Sequence, residues 1–303
     1  MFPYRSLLFV PGHKESWVDK GVASGAHALI LDLEDAVPEG DKALAREVTA
    51  ASVDRLGKES NVGVVVRVNA LDTPHFGADL EAVVRPGLTA VLVPKVYDVK
   101  DLVAFDALVR HFEIAAGMPV GTVGLVPSFE TAKALQNVEQ IAAGPRVVSL
   151  MAAAAKDADI SREVGFTWTP GGEETLYLRS RVVLAARAAG LRHVVLGLWQ
   201  DLHNLDGLRE FAEANHRLGF GGQVIIHPSH APVVNEAYSL SDAVLSRYAA
   251  MVKAYEDGAA AGHGAVMFDG EHIDLAHAEN ARQILQFHTN QSDLSGTTGK
   301  GAH

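Results

Sequence analysis

The chain has 303 residues, 48% of them hydrophobic, a formal net charge of −11 at pH 7 and no cysteine. The missing cysteines exclude disulfides, thiolate nucleophiles and Cys-ligated zinc. The acidic balance argues against broad nucleic-acid binding, which requires a basic face. No apolar stretch approaches the roughly 20 residues of a membrane span, and residues 1–16 lack a signal-peptide pattern. We therefore expect a soluble cytoplasmic protein with neither a membrane nor a nucleic-acid partner.

Short β-branched runs alternate with amphipathic stretches along most of the chain. Buried strands are predicted at residues 6–10, 28–34, 62–69, 89–95, 121–130, 146–152, 193–199 and 223–228. Several of the intervening stretches stop at a glycine, as helices often do. Apolar strands separated by helices indicate a parallel sheet that helices cover on both faces. Eight such units favour a closed (β/α)₈ TIM barrel over an open doubly wound sheet, and no G-x-G-x-x-G follows any of the strands.

The residues after the eighth strand are not needed to close a barrel. They predict a long helix over 242–262, then a strand and a Gly turn within AVMFDGEHIDLAHA (265–278), then a helix near 274–287. The final TNQSDLSGTTGKGAH is polar and rich in small residues, which is typical of a disordered tail. The predicted domains are a barrel at 1–238, a helical extension at 239–288 and a tail at 289–303.

Charged residues collect at the carboxyl ends of the predicted strands, where the active site of such a barrel forms. In chain order these ends carry Pro11-Gly12-His13, Asp32-Leu33-Glu34-Asp35, Arg67-Val68-Asn69, Pro94-Lys95, Glu130, Asp157 with Asp159, Asp201, and His227-Pro228-Ser229. Solvent begins at strand ends, so any one of these residues is equally well explained as ordinary surface. Carboxylates at many ends, together with an Arg and a Lys, favour instead a site for a hard cation, Mg²⁺ or Mn²⁺, that also binds an anionic substrate.

Two other patterns favour packing over function. His227 and His230 have H-x-x-H spacing, but Pro228 between them prevents the helical display that a metal pair would use. Trp17, Trp168 and Trp199 show no pattern suited to stacking on a ligand, so we expect them to pack in the core.

Six segments in collinear order resemble a known family. They are RSLLFVPG (5–12), LDLEDAV (31–37) with Lys42 and Arg46 following, VRVN (66–69), VPK (93–95), FETA (129–132) and IHPSH (226–230). Together they resemble the citrate lyase β-subunit-like family of the HpcH/HpaI aldolase superfamily, over nearly the whole chain. The six in order are specific for the family, although not for its substrate.

The resemblance implies a Mg²⁺-dependent lyase that cleaves a 3-hydroxyacyl-CoA thioester, of the malyl-CoA, citramalyl-CoA or citryl type, to an acyl-CoA and a 2-oxoacid. It also implies that Glu130 binds the metal together with an Asp that lies in a G-x-x-D stretch. Here that region reads MAAAAKDADISREVG, with alanines in place of the glycine and two candidate acids. The family's spacing favours Asp157 (157 − 130 = 27 residues), whereas the DISREVG that follows favours Asp159, which we prefer narrowly.

The resemblance extends to residues around the metal. Arg67 matches the family's active-site arginine, whose fork of donors can brace an oxyanion. Glu34 and Asp35 would accept hydrogen bonds from metal-bound water. Arg5 and Lys20 are candidates for binding the anionic groups of CoA or substrate, although Lys20 equally suits a surface salt bridge.

The same resemblance gives the late segment GEHID (270–274) a function. It matches a G-x-x-x-D stretch whose acid reaches into a neighbouring subunit's active site, so Asp274 would be a catalytic acid. The implied assembly is a homotrimer or a multiple of it, such as a hexamer. Asp274 also suits the N-cap of the next helix, and the two roles are compatible.

Two alternatives stay open on the sequence. The same site would serve a malate synthase-like condensation followed by thioester hydrolysis. The altered G-x-x-D stretch would instead suit a degenerate, non-catalytic barrel that acts as a subunit or regulator.

Overall fold

Eight parallel strands form a closed barrel in the computed structural model, which describes residues 2–295 and the side chains of residues 2–289. The strands follow chain order around the barrel, and β8 pairs with β1. Their bounds are β1 Ser6–Pro11, β2 Ala28–Asp32, β3 Gly63–Arg67, β4 Ala90–Val93, β5 Gly124–Phe129, β6 Met151–Ala152, β7 Val195–Leu196 and β8 Gly222–Ile225. The predicted TIM barrel and all eight of its strands are confirmed, although β6 and β7 are shorter than the apolar runs that predicted them.

In the described residues up to Tyr238, nine α-helices lie between these strands and a tenth follows β8. They are α1 Glu15–Ala23, α2 Lys42–Glu59, α3 Phe76–Val83, α4 Val99–Ala115, α5 Ala132–Gln136, α6 Val138–Ala142, α7 Asp159–Val164, α8 Leu176–Ala188, α9 Leu205–Leu218 and α10 His230–Ala237. Short 3₁₀ turns at Glu39–Asp41 and Glu173–Thr175 precede α2 and α8. α5 and α6 are separate helices, since Asn137 between them has φ −99° and ψ 13° and so leaves the helical backbone.

The side chains of the strands alternate between two environments. Along β1, Leu8 and Val10 belong to the main hydrophobic core with the helices, whereas Phe9 between them lines a pocket. Register aligns the strand ends, since Asp32 lies opposite both Pro11 of β1 and Arg67 of β3. The polar residues that end neighbouring strands therefore meet at one mouth of the barrel.

Residues 2–5 pack at the opposite, amino-terminal end. Phe2 and Tyr4 are buried and meet edge to face, with ring centroids 5.0 Å apart. Tyr4 occupies the space beside Gly63, where an added Cβ would come within 2.2 Å of its ring. The carbonyl of Arg5 accepts a hydrogen bond from Gln223 N in β8, at 2.7 Å, so Arg5 lies where β1 and β8 begin.

The chain divides into a barrel unit that ends at Tyr238 and a second unit that begins at Ser239. The second unit contains α11 Asp242–Ala260, β9 Ala265–Phe268, β10 Glu271–Asp274 and α12 Leu275–Ser295. β9 and β10 form an antiparallel hairpin, so the prediction of a single strand here was incomplete. Asp269 and Gly270 both have positive φ, 49° and 80°, as a two-residue type I′ turn requires.

Two further predictions concern the end of the chain and membrane spans. The helix continues to Ser295, whereas the sequence predicted a tail from residue 289; residues 296–303 of that tail lie outside the described residues. Across residues 2–295, no helix combines the length and the apolar character that crossing a bilayer requires.

Candidate active site

A pocket of about 260 Å³ lies at the carboxyl ends of the barrel strands. Part of its wall is apolar and consists of Phe9, Met151, Ala153, Ala155, Ile160, Leu198 and Val224. Its charges come from Asp35, Arg67, Glu130, Asp157 and Asp159. These five residues all belong to the predicted site, and segments far apart in sequence bring them to one cavity.

Arg67, the last residue of β3, is held in a fixed orientation by acids that follow β2. Its Nε and Nη2 each donate to a different carboxylate oxygen of Asp32, both at 2.7 Å, and Nη1 lies 3.1 Å from Glu34 Oε2. Burial lowers the pKa of the guanidinium, but the hydrogen bonds and charge of Asp32 outweigh that effect and raise it. Of the five N–H groups of this arginine, two donate to Asp32, while Nη1 faces Glu34 as an ion pair.

Glu34 is buried between two cations. Its Oε1 lies 2.9 Å from Lys95 Nζ, and its Oε2 faces Arg67. Burial raises the pKa of Glu34, and the charges of Arg67 and Lys95 act in the opposite direction. Lys95 follows β4 with a left-handed backbone, φ 50°, which is uncommon for a residue with a side chain.

A buried lysine fixes the segment that carries Glu34. Lys42 Nζ donates to the carbonyls of Leu33 and Glu34 at 2.7 and 2.8 Å, and to Asn69 Oδ1 at 2.8 Å. Asn69 donates in turn to the buried carboxylate of Asp79 through Nδ2, at 2.6 Å. This network joins the ends of β2 and β3 to Lys42 at the start of α2.

Glu130 follows β5 as a nearly buried carboxylate. Its residue is 9% exposed, and Ser128 Oγ donates to its Oε1 at 2.7 Å. Burial raises the pKa of Glu130 to about 7, the negative charges of Glu34 and Asp159 add to the rise, and Ser128 and Arg67 reduce it. A bound cation would favour the ionised form of this carboxylate.

The two acids after β6 differ in backbone setting. Asp157 is exposed and has a left-handed backbone, φ 52°. Asp159 is the first residue of α7, and its carboxylate accepts from Arg162 Nη2 at 2.6 Å. Because the charge of Asp159 contributes to the raised pKa of Glu130, these two carboxylates are electrostatically coupled. Asp159 as the second metal ligand stays a prediction that this coupling favours.

The donor set suits a hard divalent cation, since it consists of carboxylate oxygens. Within the described side chains, no three His, Asp or Glu residues come close enough to enclose a metal. Two carboxylate ligands, with the other positions left to water and substrate, are an arrangement that Mg²⁺ commonly adopts, and Glu130 with Asp159 stays the predicted pair. His227 and His230 have ring centroids 6.0 Å apart, and the described side chains place no third His, Asp or Glu with them.

Two predicted anion-binding residues, Arg5 and Lys20, are not among the residues that line this pocket. Arg5 is buried at the amino-terminal end of the barrel, the opposite end from the pocket, so its proposed contact with CoA or substrate is wrong for this site. Lys20 is exposed in the last turn of α1, the end of that helix that leads to the start of β2. That position also suits a cation near a helix C-terminus, so an anion-binding role for Lys20 stays a prediction.

Asp274 ends β10 and caps α12. Its Oδ1 accepts from the backbone N–H of Ala276 at 3.0 Å and lies 2.7 Å from His277 Nδ1. The hydrogen bond to His277 lowers the pKa of Asp274. The side chain is half exposed, so the capping role does not bury its carboxylate.

Sequence reasoning placed Asp32 and Lys95 at the strand ends of the predicted site but did not identify their partners, and it missed Ser128. Asp32 orients Arg67, Lys95 pairs with Glu34, and Ser128 donates to Glu130. A signal for Asp32 existed, since it is a charged residue at the end of the fully buried strand ALILD. Ser128 had no comparable signal, because a serine within an apolar strand is common.

The comparisons with known proteins agree with this geometry. Residues 5–228 match the family model HpcH/HpaI aldolase/citrate lyase. A (3S)-malyl-CoA thioesterase of Cereibacter sphaeroides is 32% identical, over 93% of this chain and 94% of that protein. The citrate lyase subunit beta of Escherichia coli is 30% identical, over 96% of this chain and 94% of that protein.

A solved structure is similar over nearly the whole chain. It is CitE of Mycobacterium tuberculosis in complex with magnesium, acetoacetate and coenzyme A, with a TM-score of 0.72 and 27% identity, covering 95% of this chain and 99% of that one. Residues 5–228, which the family model matches, include every barrel strand and every residue that lines the charged pocket. The chain therefore belongs to the HpcH/HpaI aldolase/citrate lyase family.

Proposed function

We propose that this protein is a cytoplasmic, Mg²⁺-dependent lyase that cleaves a 3-hydroxyacyl-CoA thioester to an acyl-CoA and a 2-oxoacid. The observation that carries the proposal is the pairing of two groups in one pocket. Glu130 is a buried carboxylate whose pKa is raised to about 7, and Arg67 is a guanidinium that Asp32 holds in a fixed orientation. The first group suits a cation, and the second suits an oxygen that becomes negative.

The solved relatives support the choice of ligands. CitE of Mycobacterium tuberculosis has been solved with magnesium and pyruvate, and a citrate lyase beta subunit from the same organism has been solved with oxaloacetate and magnesium. For this chain we propose Mg²⁺, with Mn²⁺ as a substitute, held by Glu130 and Asp159. The proposed substrates are a CoA thioester of the malyl, citramalyl or citryl type in the forward direction and a small 2-oxoacid in reverse.

Each side chain has a task in the cleavage. A bound Mg²⁺ supplies a Lewis acid that lowers the pKa of the substrate hydroxyl and polarises the nascent carbonyl. N–H groups of Arg67 that do not donate to Asp32 would donate to that oxygen as its negative charge develops. Glu34 and Asp35, which lie 3.1 and 3.7 Å from Arg67 Nη1, would accept hydrogen bonds from metal-bound water.

Breaking the C–C bond leaves the acyl-CoA as an enolate that must take up a proton. We assign that step to Asp274 of a neighbouring subunit, on the resemblance of GEHID to the family's acidic stretch. Its half-exposed carboxylate keeps the accessibility that such a role requires. The active form would then be a homotrimer or a hexamer.

A second reaction at the same site, hydrolysis of the thioester, is supported by the names of several relatives. Several relatives at 31 to 32% identity are named (3S)-malyl-CoA thioesterase, which releases free CoA by hydrolysis. The malate synthase-like alternative also ends in hydrolysis. Free CoA as a product would therefore distinguish the thioesterase and the synthase-like reactions from a simple lyase, which releases an acyl-CoA.

The direct test is a panel of malyl-, citramalyl- and citryl-CoA with the purified protein, in Mg²⁺ and in EDTA. A lyase releases acetyl-CoA and a 2-oxoacid in equal amounts, and only with the metal. Free CoA without acetyl-CoA would establish the thioesterase outcome. No turnover of any thioester would support the non-catalytic alternative and contradict the proposal.

A further inference from the structure

We propose that Trp168 is a positioning residue for the metal-binding segment after β6, and that it acts through its indole N–H. The inference rests on the proposed function, since it concerns how Asp157 and Asp159 are held opposite Glu130. Trp168 does not line the pocket, and its sequence context predicted only packing. Its hydrogen bond gives it a different role.

The backbone ladder between β6 and β7 ends early. Val195 N donates to the carbonyl of Leu150 at 2.9 Å, and Gly197 N donates to that of Ala152 at 2.7 Å. β7 contributes no further ladder bond to this segment, although the carbonyls of Ala154 and Lys156 continue the same alternation.

Side chains take over where the backbone ladder stops. Trp168 Nε1 donates to the carbonyl of Ala154 at 2.9 Å, and Gln200 Nε2 donates to that of Lys156 at 2.8 Å. Four successive alternate carbonyls, at Leu150, Ala152, Ala154 and Lys156, are therefore satisfied. The last two determine where the chain stands when it reaches Asp157.

Trp168 can act as a fixed donor because its own ring is held. It meets Trp199 edge to face at 5.6 Å, and Phe211 of α9 lies 6.4 Å away. Gly197, just after β7, allows the backbone to approach the same segment closely, since an added Cβ there would lie 3.0 Å from Ala154 N. The segment is thus held between a glycine on one strand and an indole on a rigid aromatic cluster.

The alanines of this segment cannot anchor it by themselves. Ala153 to Ala155 have no polar side-chain atoms, and Asp157 turns the chain through a left-handed conformation before α7 begins. Groups that orient metal ligands commonly change metal affinity about 10- to 100-fold when they are removed. We therefore place the indole N–H of Trp168 among the determinants of metal affinity.

The test compares Trp168→Phe with Trp199→Phe in the full-length protein. Both variants keep an aromatic ring in the same cluster, but Trp199 Nε1 is buried with no hydrogen-bond partner among the described residues, so only Trp168→Phe removes a bond. The probe is Mg²⁺ alone, titrated by calorimetry into metal-free protein. We expect Trp168→Phe to raise the Kd for Mg²⁺ roughly tenfold and Trp199→Phe to change it less than about twofold.

A purely structural role would change the thermal midpoint of metal-free Trp168→Phe without a selective change in Mg²⁺ affinity. Gln200→Leu, a change at an exposed position, provides a second variant whose folding is not at risk and should raise the Kd by a smaller factor. Equal Kd values for wild type, Trp168→Phe and Gln200→Leu would overturn this inference while leaving the proposed function intact. Failure of the wild type itself to bind Mg²⁺ would overturn both.

Discussion

Glu130 shows how burial of a single charge prepares the site. Its folded pKa of about 7 lies above the ordinary value of 4.5, so the folded, metal-free protein binds more protons than the unfolded chain between these limits. Stability contributed by the protonated form is present below pH 4.5 and is lost as the pH rises through about 7. The ionised carboxylate therefore destabilises the metal-free fold at alkaline pH.

Glu130→Gln should remove that dependence. In EDTA at pH 8 we expect the variant to be more stable than wild type by about 3 kcal/mol, since each pKa unit corresponds to about 1.4 kcal/mol. At pH 4.5 the difference should vanish. Denaturant titrations at both pH values measure it, with the exposed Glu81→Gln of α3 as the control. A difference that is the same at both pH values would contradict a raised pKa at Glu130.

Arg67 depends on the geometry of its donors more than on its charge. Arg67→Lys keeps the charge but loses the planar fork that Asp32 orients at 2.7 Å. Loss of one donor to a developing oxyanion commonly lowers kcat roughly 100- to 1000-fold, and we expect a fall of that order with a smaller effect on thermal stability. Arg85→Lys, in a pair with Asp54 at 2.9 Å, is the matched control. Normal turnover in Arg67→Lys would remove Arg67 from the mechanism.

At the scale of elements, periodicity and composition located the barrel strands but not their lengths. β6 and β7 have two residues each, because the segment after β6 leaves the ladder and side chains of Trp168 and Gln200 satisfy its carbonyls. β10 was missed because EHID is mostly polar and exposed, and its strand exists through pairing with β9 across the Asp269-Gly270 turn. The side-chain partners after β6 lie outside any local pattern, whereas Asp-Gly in a two-residue turn is a local hairpin signal that the sequence reasoning did not use.

The segment after β6 carries the choice between two metal ligands. Asp159→Asn should lower activity at least 100-fold, whereas Asp157→Asn should lower it only several-fold. Asparagine tolerates the left-handed backbone of Asp157, φ 52°, so that substitution leaves the turn intact. Steady-state rates over a range of Mg²⁺ concentrations measure both. The reverse order would make Asp157 the ligand and would show that electrostatic coupling to Glu130 is a poor guide here.

At the scale of the whole molecule, the barrel itself explains why much of the site could be predicted. A parallel barrel brings every strand's carboxyl end to one mouth, so Glu34, Arg67 and Glu130 converge although they are far apart in sequence. The same rule exposes the error at Arg5, which precedes β1 and so lies at the other mouth. The contacts that orient these side chains, such as Asp32 with Arg67, depend on register and could not be assigned from the sequence.

The proposed oligomer makes a prediction that no single chain can satisfy. Asp274→Asn should be nearly inactive but should still bind Mg²⁺, because only proton transfer fails. Mixing it with inactive Glu130→Gln under conditions of subunit exchange should restore part of the activity, since some hybrid sites combine an intact Glu130 with an intact Asp274 from a neighbour. Activity of the mixture is compared with that of each variant alone. No recovery, despite exchange demonstrated by mass spectrometry, would mean that Asp274 does not act between subunits.

The most direct test of the account is Mg²⁺ add-back to metal-free wild type and metal-free Glu130→Gln, with malyl-CoA and citramalyl-CoA as substrates. Acetyl-CoA and the 2-oxoacid are quantified by mass spectrometry. The account predicts that wild type releases the two products in equal amounts only after Mg²⁺ is added, while folded Glu130→Gln releases neither at any Mg²⁺ concentration. Cleavage by wild type in EDTA, or by Glu130→Gln at the wild-type rate, would contradict the claim that this carboxylate holds a catalytic metal.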